Sequence, residues 1–166
     1  LVNRKQYAAV IAHADSLTLS DSSNYEIMKA IGQAYEGMLR YQKAYDYYRL
    51  CFAMDTTYLD ILNILARTAT NLGRAEDAER YFHQVLSADS SNFYANYQLA
   101  RLYFQLGEYE KAVDAYEKLQ AQNEDNTVLY RAIGDCYTRM EQYPSATTAY
   151  FQAFNVNREK AGLAGA

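Results

Sequence analysis

The residues best suited to covalent or metal chemistry are two cysteines and two histidines, Cys51, Cys136, His13 and His83. Neither histidine has another histidine or cysteine at the short spacing with which helices hold a metal ion. Neither cysteine has a nearby histidine that could activate it as a nucleophile. The chain also lacks a glycine-rich phosphate-binding loop. We therefore expect no enzyme activity, no metal site and no cofactor.

Composition and charge predict a soluble, helical chain. Half of the 166 residues are apolar, enough for the core of one domain of ordinary size, and the single proline permits nearly continuous helix. The net charge of −4, from 16 basic and 20 acidic side chains, gives no positive field that would attract nucleic acid. Polar side chains interrupt every helix-length window, so we expect no membrane span. Two cysteines leave the compartment undecided between cytoplasm and periplasm.

Small and aromatic residues recur at intervals of 34 positions. One series of small residues, each preceded by an apolar side chain, is Gly32, Ala66, Ala100 and Gly134. A second series is Ala44, Ala78, Ala112 and Ala146. One helical turn after these alanines lie Tyr48, Phe82, Tyr116 and Tyr150. This period predicts stacked helix pairs, because a lone pair cannot bury such apolar faces without its neighbours.

The stretch from Leu99 to Leu119 reads LARLYFQLGEYEKAVDAYEKL and carries the whole pattern. It resembles the tetratricopeptide repeat family, whose unit is a pair of antiparallel helices. The resemblance implies an all-α fold, a right-handed α-solenoid of stacked antiparallel helix pairs that forms a single array over residues 1–166. Within it we expect a half repeat, four full repeats and a tail, at residues 1–24, 25–58, 59–92, 93–126, 127–160 and 161–166. The tail is apolar, unlike a capping helix, which leads us to expect that more repeats follow.

Helix-capping side chains stand where the family usually has a proline between units. Two identical Asp-Ser-Ser-Asn tetrads occupy residues 21–24 and 89–92, and Asn126 holds the matching place before the fourth repeat. Their side-chain oxygens accept hydrogen bonds from the free N–H groups of a starting helix. Within the pairs, glycine at two of four turns supplies a left-handed cap. The four turns are expected at Leu39, Gly73, Gly107 and Glu141.

Tyrosine is unusually frequent, with 18 in the chain and no tryptophan. Those that recur in the repeat, such as Tyr35 and Tyr103, are expected to pack in the core, as are Cys51 and Cys136. Other tyrosines have no counterpart in every repeat and are candidates for a binding surface, where exposed tyrosine is enriched. These are Tyr45, Tyr47, Tyr94, Tyr97 and Tyr130.

The family resemblance implies that the first helix of each pair lines an inner groove that binds a partner. Arg67 and Arg101 hold equivalent positions in adjacent repeats, so we expect them to stand one above the other, with Tyr97 beside Arg101. Such arginines suit a carboxylate bound in bidentate fashion, although solvated surface arginines would give the same pattern. The candidate partner-binding residues are Lys29, Gln33, Asn63, Arg67, Tyr94, Tyr97, Gln98, Arg101, Arg131 and Asp135.

These observations predict a protein-interaction scaffold whose groove holds another protein or peptide, with an acidic or carboxylate group as the favoured contact. Relatives that clamp a chaperone tail use residues that only Lys29 and, nearly, Gln33 match here, while Ile64, Tyr94 and Gln98 depart, so that partner is not expected. The alternative is a self-assembly module that forms homo-oligomers through its exposed end helices. A small-ligand or enzymatic role would need an appended domain, and no residue here supports it.

Overall fold

A computed structural model describes residues 6–12, 25–54, 59–123 and 125–163 of the chain. These ranges contain nine α-helices and no β-strand, which confirms the predicted all-α fold. In chain order the helices are α1 at residues 6–12, α2 at Tyr25–Gly37, α3 at Tyr41–Met54, α4 at Leu59–Asn71, α5 at Ala75–Ala88, α6 at Phe93–Leu106, α7 at Tyr109–Gln122, α8 at Thr127–Arg139 and α9 at Tyr143–Leu163. They belong to two compact units, one within Leu1–Ala88 and the other within Asp89–Ala166.

Tight turns join the helices into packed pairs, α2 with α3, α4 with α5, α6 with α7 and α8 with α9. Each turn contains a residue with left-handed backbone, and the φ angles of Leu39, Gly73, Gly107 and Glu141 are 60°, 71°, 81° and 59°. The next residue donates its N–H back to a carbonyl of the preceding helix, as Arg40 does to Tyr35 at 2.9 Å. The sequence predicted this cap for the glycines, and the structure extends it to a leucine and a glutamate.

Asparagine side chains fix where the helices of the second unit begin. The side-chain oxygen of Asn92 accepts a hydrogen bond from the backbone N–H of Ala95 at 3.0 Å and so caps α6. Asn126 caps α8 in the same way by accepting from Val128 at 3.1 Å. Both predicted caps are confirmed. The matching tetrad at residues 21–24 lies outside the described residues.

A close contact between a small residue and an aromatic ring lies inside the helix pairs. In the first unit, a Cβ added to Gly32 would lie 2.5 Å from the ring of Tyr48, whose side chain is completely buried. In the second unit, a Cβ added to Gly134 would lie 2.6 Å from the ring of Tyr150. Tyr150 is 38% exposed, although the repeat pattern predicts a core position. The two equivalent contacts therefore differ in how deeply the tyrosine is buried.

Tyr45 corrects one prediction, because it lies in the core of the first unit rather than on a surface. Only 2% of the residue is exposed. Its hydroxyl lies 3.3 Å from that of Tyr81 and donates a hydrogen bond to Asp77, also at 3.3 Å. Arg74 stacks its guanidinium over the Tyr45 ring at 5.0 Å. Polar partners supplied by α5 thus satisfy a hydroxyl that the sequence pattern alone would place in solvent.

The last helix, α9, continues to Leu163, three residues past the end predicted for the fourth repeat. No proline follows Pro144 to interrupt the helix. Gly162 lies within the helix, and a Cβ added there would meet nothing within 4 Å. Three aromatic side chains on α9 are more than half exposed, namely Tyr143, Phe151 and Phe154. The rings of the two phenylalanines stack with their centroids 6.4 Å apart.

Candidate partner-binding groove

The second unit contains an open cavity of about 410 Å³ between α6 and α8, here named the α6–α8 groove. α6 supplies one wall, α8 supplies the other, and α7 contributes a single tyrosine. The lining residues are Tyr97, Arg101, Phe104, Gln105, Tyr116, Val128, Arg131, Ala132 and Asp135. Aromatic, aliphatic and charged side chains thus alternate around one cavity.

Helical spacing brings Tyr97, Arg101 and Phe104 to one face of α6, because residues four and seven apart share a side of a helix. Tyr97 is held on both sides. Its ring stacks on Phe93 with the centroids 6.1 Å apart, and it meets the buried Tyr116 edge-on at 5.8 Å. These contacts restrict the side chain before any partner arrives.

The α8 wall places Val128, Arg131 and Asp135 at spacings of three and four residues, again on one face. The Asp135 carboxylate accepts a hydrogen bond from the hydroxyl of Tyr150 at 2.7 Å. This contact raises the pKa of Tyr150, although burial contributes more to the rise. A tyrosine from α9 therefore holds the only acidic side chain that lines the α6–α8 groove.

The two arginines of the α6–α8 groove differ from the other groove residues in carrying a positive charge. Within the residues that the structure describes, neither Arg101 nor Arg131 forms an ion pair. Burial raises the pKa of Tyr116 at the base of the groove, so its hydroxyl stays protonated near neutral pH. Two guanidinium groups thus face a cavity whose remaining lining, apart from Asp135, is uncharged.

The corresponding cations of the first unit are paired. Arg67 donates from Nη2 to both carboxylate oxygens of Glu36, at 2.8 and 2.9 Å, and Tyr48 donates its hydroxyl to the same carboxylate at 3.0 Å. Lys29 forms an ion pair with Asp60. The hydrogen bond to Asp60 raises the pKa of Lys29, which keeps the ammonium charged. These two cations link α2 to α4 and are already neutralised.

The comparison with known protein families decides what kind of repeat this is. A sequence model described as tetratricopeptide repeat matches residues 69–136, which run from the end of α4 through α5, α6 and α7 to most of α8. Residues 69–136 are therefore repeats of the tetratricopeptide type. The residues matched include every residue that lines the α6–α8 groove.

Solved structures share the fold of this chain. A crystal structure of MamA is 21% identical over 94% of this chain and 91% of that chain, with a TM-score of 0.83. A second MamA structure is 21% identical over 95% and 86%, with a TM-score of 0.86. YrrB, described as a tetratricopeptide protein with an unusual peptide-binding site, is 16% identical over 92% and 78%, with a TM-score of 0.78. No protein of curated function matches the sequence.

Of the ten residues predicted to bind a partner, four line the groove of this tetratricopeptide unit. They are Tyr97, Arg101, Arg131 and Asp135. Tyr94 and Gln98 lie on α6 but do not line the groove, and the other four lie on α2 and α4 of the first unit. Sequence reasoning missed Phe104, Val128 and Ala132 as lining residues, and it assigned Tyr116 to packing alone.

The predicted stacking of Arg67 on Arg101 stays a prediction, since the two arginines belong to different units. Among the first-unit candidates, Gln33 is exposed. The side-chain oxygen of Asn63 is buried and has no hydrogen-bond partner among the described residues. Neither residue lines the α6–α8 groove.

Cys51 and Cys136 are completely buried, as the repeat pattern predicts. Burial raises the pKa of each thiol to about 11, so neither is a ready nucleophile near neutral pH. In the described part of the chain, no three histidine, cysteine or acidic residues cluster as metal ligands would. The described helices also include none with the length and hydropathy needed to cross a bilayer.

Proposed function

We propose that this tetratricopeptide array is a protein-interaction scaffold that binds a segment of another protein in the α6–α8 groove. The observation that carries the proposal is the pair of unpaired guanidinium groups of Arg101 and Arg131 within one aromatic and aliphatic cavity. Arginine and tyrosine are the side chains most enriched where partner binding is strongest. The peptide-binding site named for YrrB supports the same use of the shared fold.

Rigid positioning favours binding in this groove. Tyr97 is held by Phe93 and Tyr116, and Asp135 is held by Tyr150. A partner therefore does not have to pay the entropy of ordering these side chains when it docks. Bidentate guanidinium contacts would add directional hydrogen bonds to the apolar contacts of Phe104 and Val128.

The proposed docking surface is narrower than the ten residues predicted from the sequence. Tyr97, Arg101, Arg131 and Asp135 contact the guest, and Tyr94 and Gln98 extend the surface along α6. Lys29 and Arg67 would have to break their ion pairs with Asp60 and Glu36 before they could bind a guest. We therefore assign these two cations a structural role. Gln33 and Asn63 do not line the α6–α8 groove, and we assign them a secondary role in binding the partner.

Selection of displayed random peptides on the whole chain tests the proposal. Selected peptides are then titrated by fluorescence anisotropy against the wild type and the variant Arg101→Gln/Arg131→Gln. We expect the variant to bind at least about tenfold more weakly, because a lost charge-assisted hydrogen bond costs about 1.5–3 kcal/mol. The matched control is Lys118→Gln/Arg158→Gln, which removes two exposed cations of the same unit outside the groove. Equal affinity for both variants, or no selected peptide at all, would contradict the groove assignment.

Self-association is a second candidate function, favoured by the exposed aromatic side chains of α9. Tyr143, Phe151 and Phe154 are 62%, 61% and 59% exposed, and large exposed apolar surfaces mark interaction sites. Sedimentation velocity over a range of concentrations would show association of the wild type and its loss in Phe151→Ser/Phe154→Ser. A concentration-independent sedimentation coefficient for the wild type would exclude this role.

A further inference from the structure

Asp135 shares the α6–α8 groove with Arg101 and Arg131 and forms an ion pair with neither. Among the described residues, the two arginines have no other ion-pair partner. Arg131 precedes it by four residues on α8, a spacing at which opposite charges often meet. The Tyr150 hydroxyl instead holds the carboxylate at 2.7 Å. Asp135 is thus a fixed negative charge within a cation-lined groove.

The charges of the groove add up to a small positive value. Arg101 and Arg131 contribute two positive charges, Asp135 contributes one negative charge, and the other lining side chains are neutral. One carboxylate from a guest balances this net charge. A phosphate group carries about −1.5 to −2 at neutral pH, so it would leave excess negative charge beside Asp135. Like charges that line the same groove repel each other.

The apolar lining indicates where the guest carboxylate comes from. On α6, Tyr97 and Phe104 lie on either side of Arg101 along the helix, and on α8 Val128 and Ala132 flank Arg131. A guest segment whose chain continues on both sides of its acidic residue can contact the apolar side chains on both sides of the two arginines. An internal acidic side chain meets that condition, whereas a terminal carboxylate leaves one side empty.

We propose that the groove selects guest segments by one internal aspartate or glutamate, bound by Arg101 and Arg131, and that Asp135 excludes phosphorylated segments. This inference rests on the proposed docking function. It assigns Asp135 a specificity-determining role, which the sequence pattern did not indicate. The Tyr150 hydroxyl is the positioning group that keeps Asp135 from neutralising Arg131.

The peptides selected on the whole chain provide the probes. Each is resynthesised with blocked ends and with its acidic residue kept, changed to glutamine, or changed to phosphoserine. We expect both changed peptides to bind about tenfold more weakly. The glutamine peptide loses a charge-assisted contact with the arginines, and the phosphoserine peptide gains a repulsive contact with Asp135. Blocking the ends should leave affinity within about twofold, which distinguishes an internal carboxylate from a terminal one.

The variant Asp135→Asn should reduce the discrimination between the two peptides. Affinity for the phosphoserine peptide should rise about fivefold or more, and millimolar inorganic phosphate should now compete, while affinity for the acidic peptide changes less. Tyr150→Phe, which frees Asp135 without removing it, should weaken binding of the acidic peptide. Asp114→Asn, on an exposed part of α7 outside the groove, is the matched control and should change nothing.

The possible failures are distinguishable. If the selected peptides lack acidic residues, or if phosphoserine peptides bind the wild type as well as acidic ones, the inference is wrong while docking in the groove stands. If Asp135→Asn leaves the preference between the two peptides unchanged, Asp135 is not the selective residue. If Arg101→Gln/Arg131→Gln binds every peptide as the wild type does, the docking function itself fails.

Discussion

In the first unit, Lys29 and Arg67 each meet a carboxylate of the neighbouring helix pair, whereas in the second unit Arg101 and Arg131 meet none within the described residues. Both first-unit pairs join residues 31 positions apart. The residues 31 positions from Arg101 are Thr70 and Ala132, and those 31 positions from Arg131 are Ala100 and Gly162. None can accept an ion pair.

This difference shows how one repeat architecture serves two purposes. Where the facing position is acidic, the cation links one helix pair to the next and becomes part of the scaffold. Where no acidic residue stands 31 positions away, as for Arg101 and Arg131, the described residues provide no ion pair, and both cations line a cavity. Both units are built from helix pairs, so a few side-chain choices separate a structural contact from the proposed binding surface.

The largest expected effect concerns the tyrosine–glycine contact that both units share. Gly32→Ala should destabilise the first unit by about 2–3 kcal/mol, because an added Cβ meets the buried ring of Tyr48, whose hydroxyl is bound to Glu36. Gly134→Ala should cost less, about 1 kcal/mol, because Tyr150 is 38% exposed and its ring can shift outward at the expense of its hydrogen bond to Asp135. Labelling of Cys51 and Cys136, resolved by mass spectrometry, reports the opening of each unit separately.

Gly162→Ala is the control for these glycine substitutions. A Cβ there has open space and sits in a helix, so stability should stay the same or rise slightly. Equal losses for Gly32→Ala and Gly134→Ala would show that the exposure of Tyr150 gives it no freedom to move, and the proposed difference between the units would be lost.

A smaller effect tests the ion pairs directly. Arg67→Gln should destabilise the first unit by about 0.5–1 kcal/mol, a modest loss because 45% of the Arg67 side chain is exposed and solvent screens the pair. Arg101→Gln, without an ion pair to lose, should leave stability within about 0.3 kcal/mol. Urea unfolding followed by circular dichroism measures both. A loss for Arg101→Gln as large as that for Arg67→Gln would mean that Arg101 is not free to bind a guest.

The repeated fold could be predicted because its physical requirement is visible in single residues. Close approach of two helices needs a small residue, and burial of the facing ring needs an aromatic one, so Gly32 and Tyr48 mark the contact wherever it recurs. The turns followed from the same spacing. The left-handed backbone of Leu39 and Glu141 could not be read from residue type, since it is imposed by the helices on either side.

The groove was only partly predictable from the sequence. Equivalent positions in the repeats indicate which helix face is expected to line a groove, but they do not indicate which charged side chains form ion pairs. Lys29 and Arg67 were chosen for their position, and their ion pairs depend on carboxylates 31 residues away. A search for opposite charges at that spacing would have separated them from Arg101. Phe104 could have been found from its helical spacing to Tyr97 and Arg101.

The last expected effect appears only at alkaline pH and concerns the two buried thiols, one in each unit. Burial raises the pKa of Cys51 and of Cys136 from 9.0 to about 11. The unfolded chain therefore releases these protons first as pH rises, so the stability that the neutral thiols contribute is complete below about pH 9 and is lost as pH passes through about 11. The free energy of unfolding, measured from pH 8 to 11, should fall less steeply in Cys51→Ala than in the wild type.

The two thiols should then respond differently to a change in the groove. The charge of Asp135 adds to the effect of burial on Cys136, whereas Lys29 opposes it for Cys51. Asp135→Asn should therefore speed the alkaline alkylation of Cys136 and leave that of Cys51 unchanged, as measured by mass spectrometry of the two peptides. Equal acceleration of both thiols would indicate general loosening of the fold. Asp135 is exposed and lies on the groove wall, whereas Cys136 is buried. A response confined to Cys136 would therefore show that the charge of Asp135 influences a thiol in the core of the second unit.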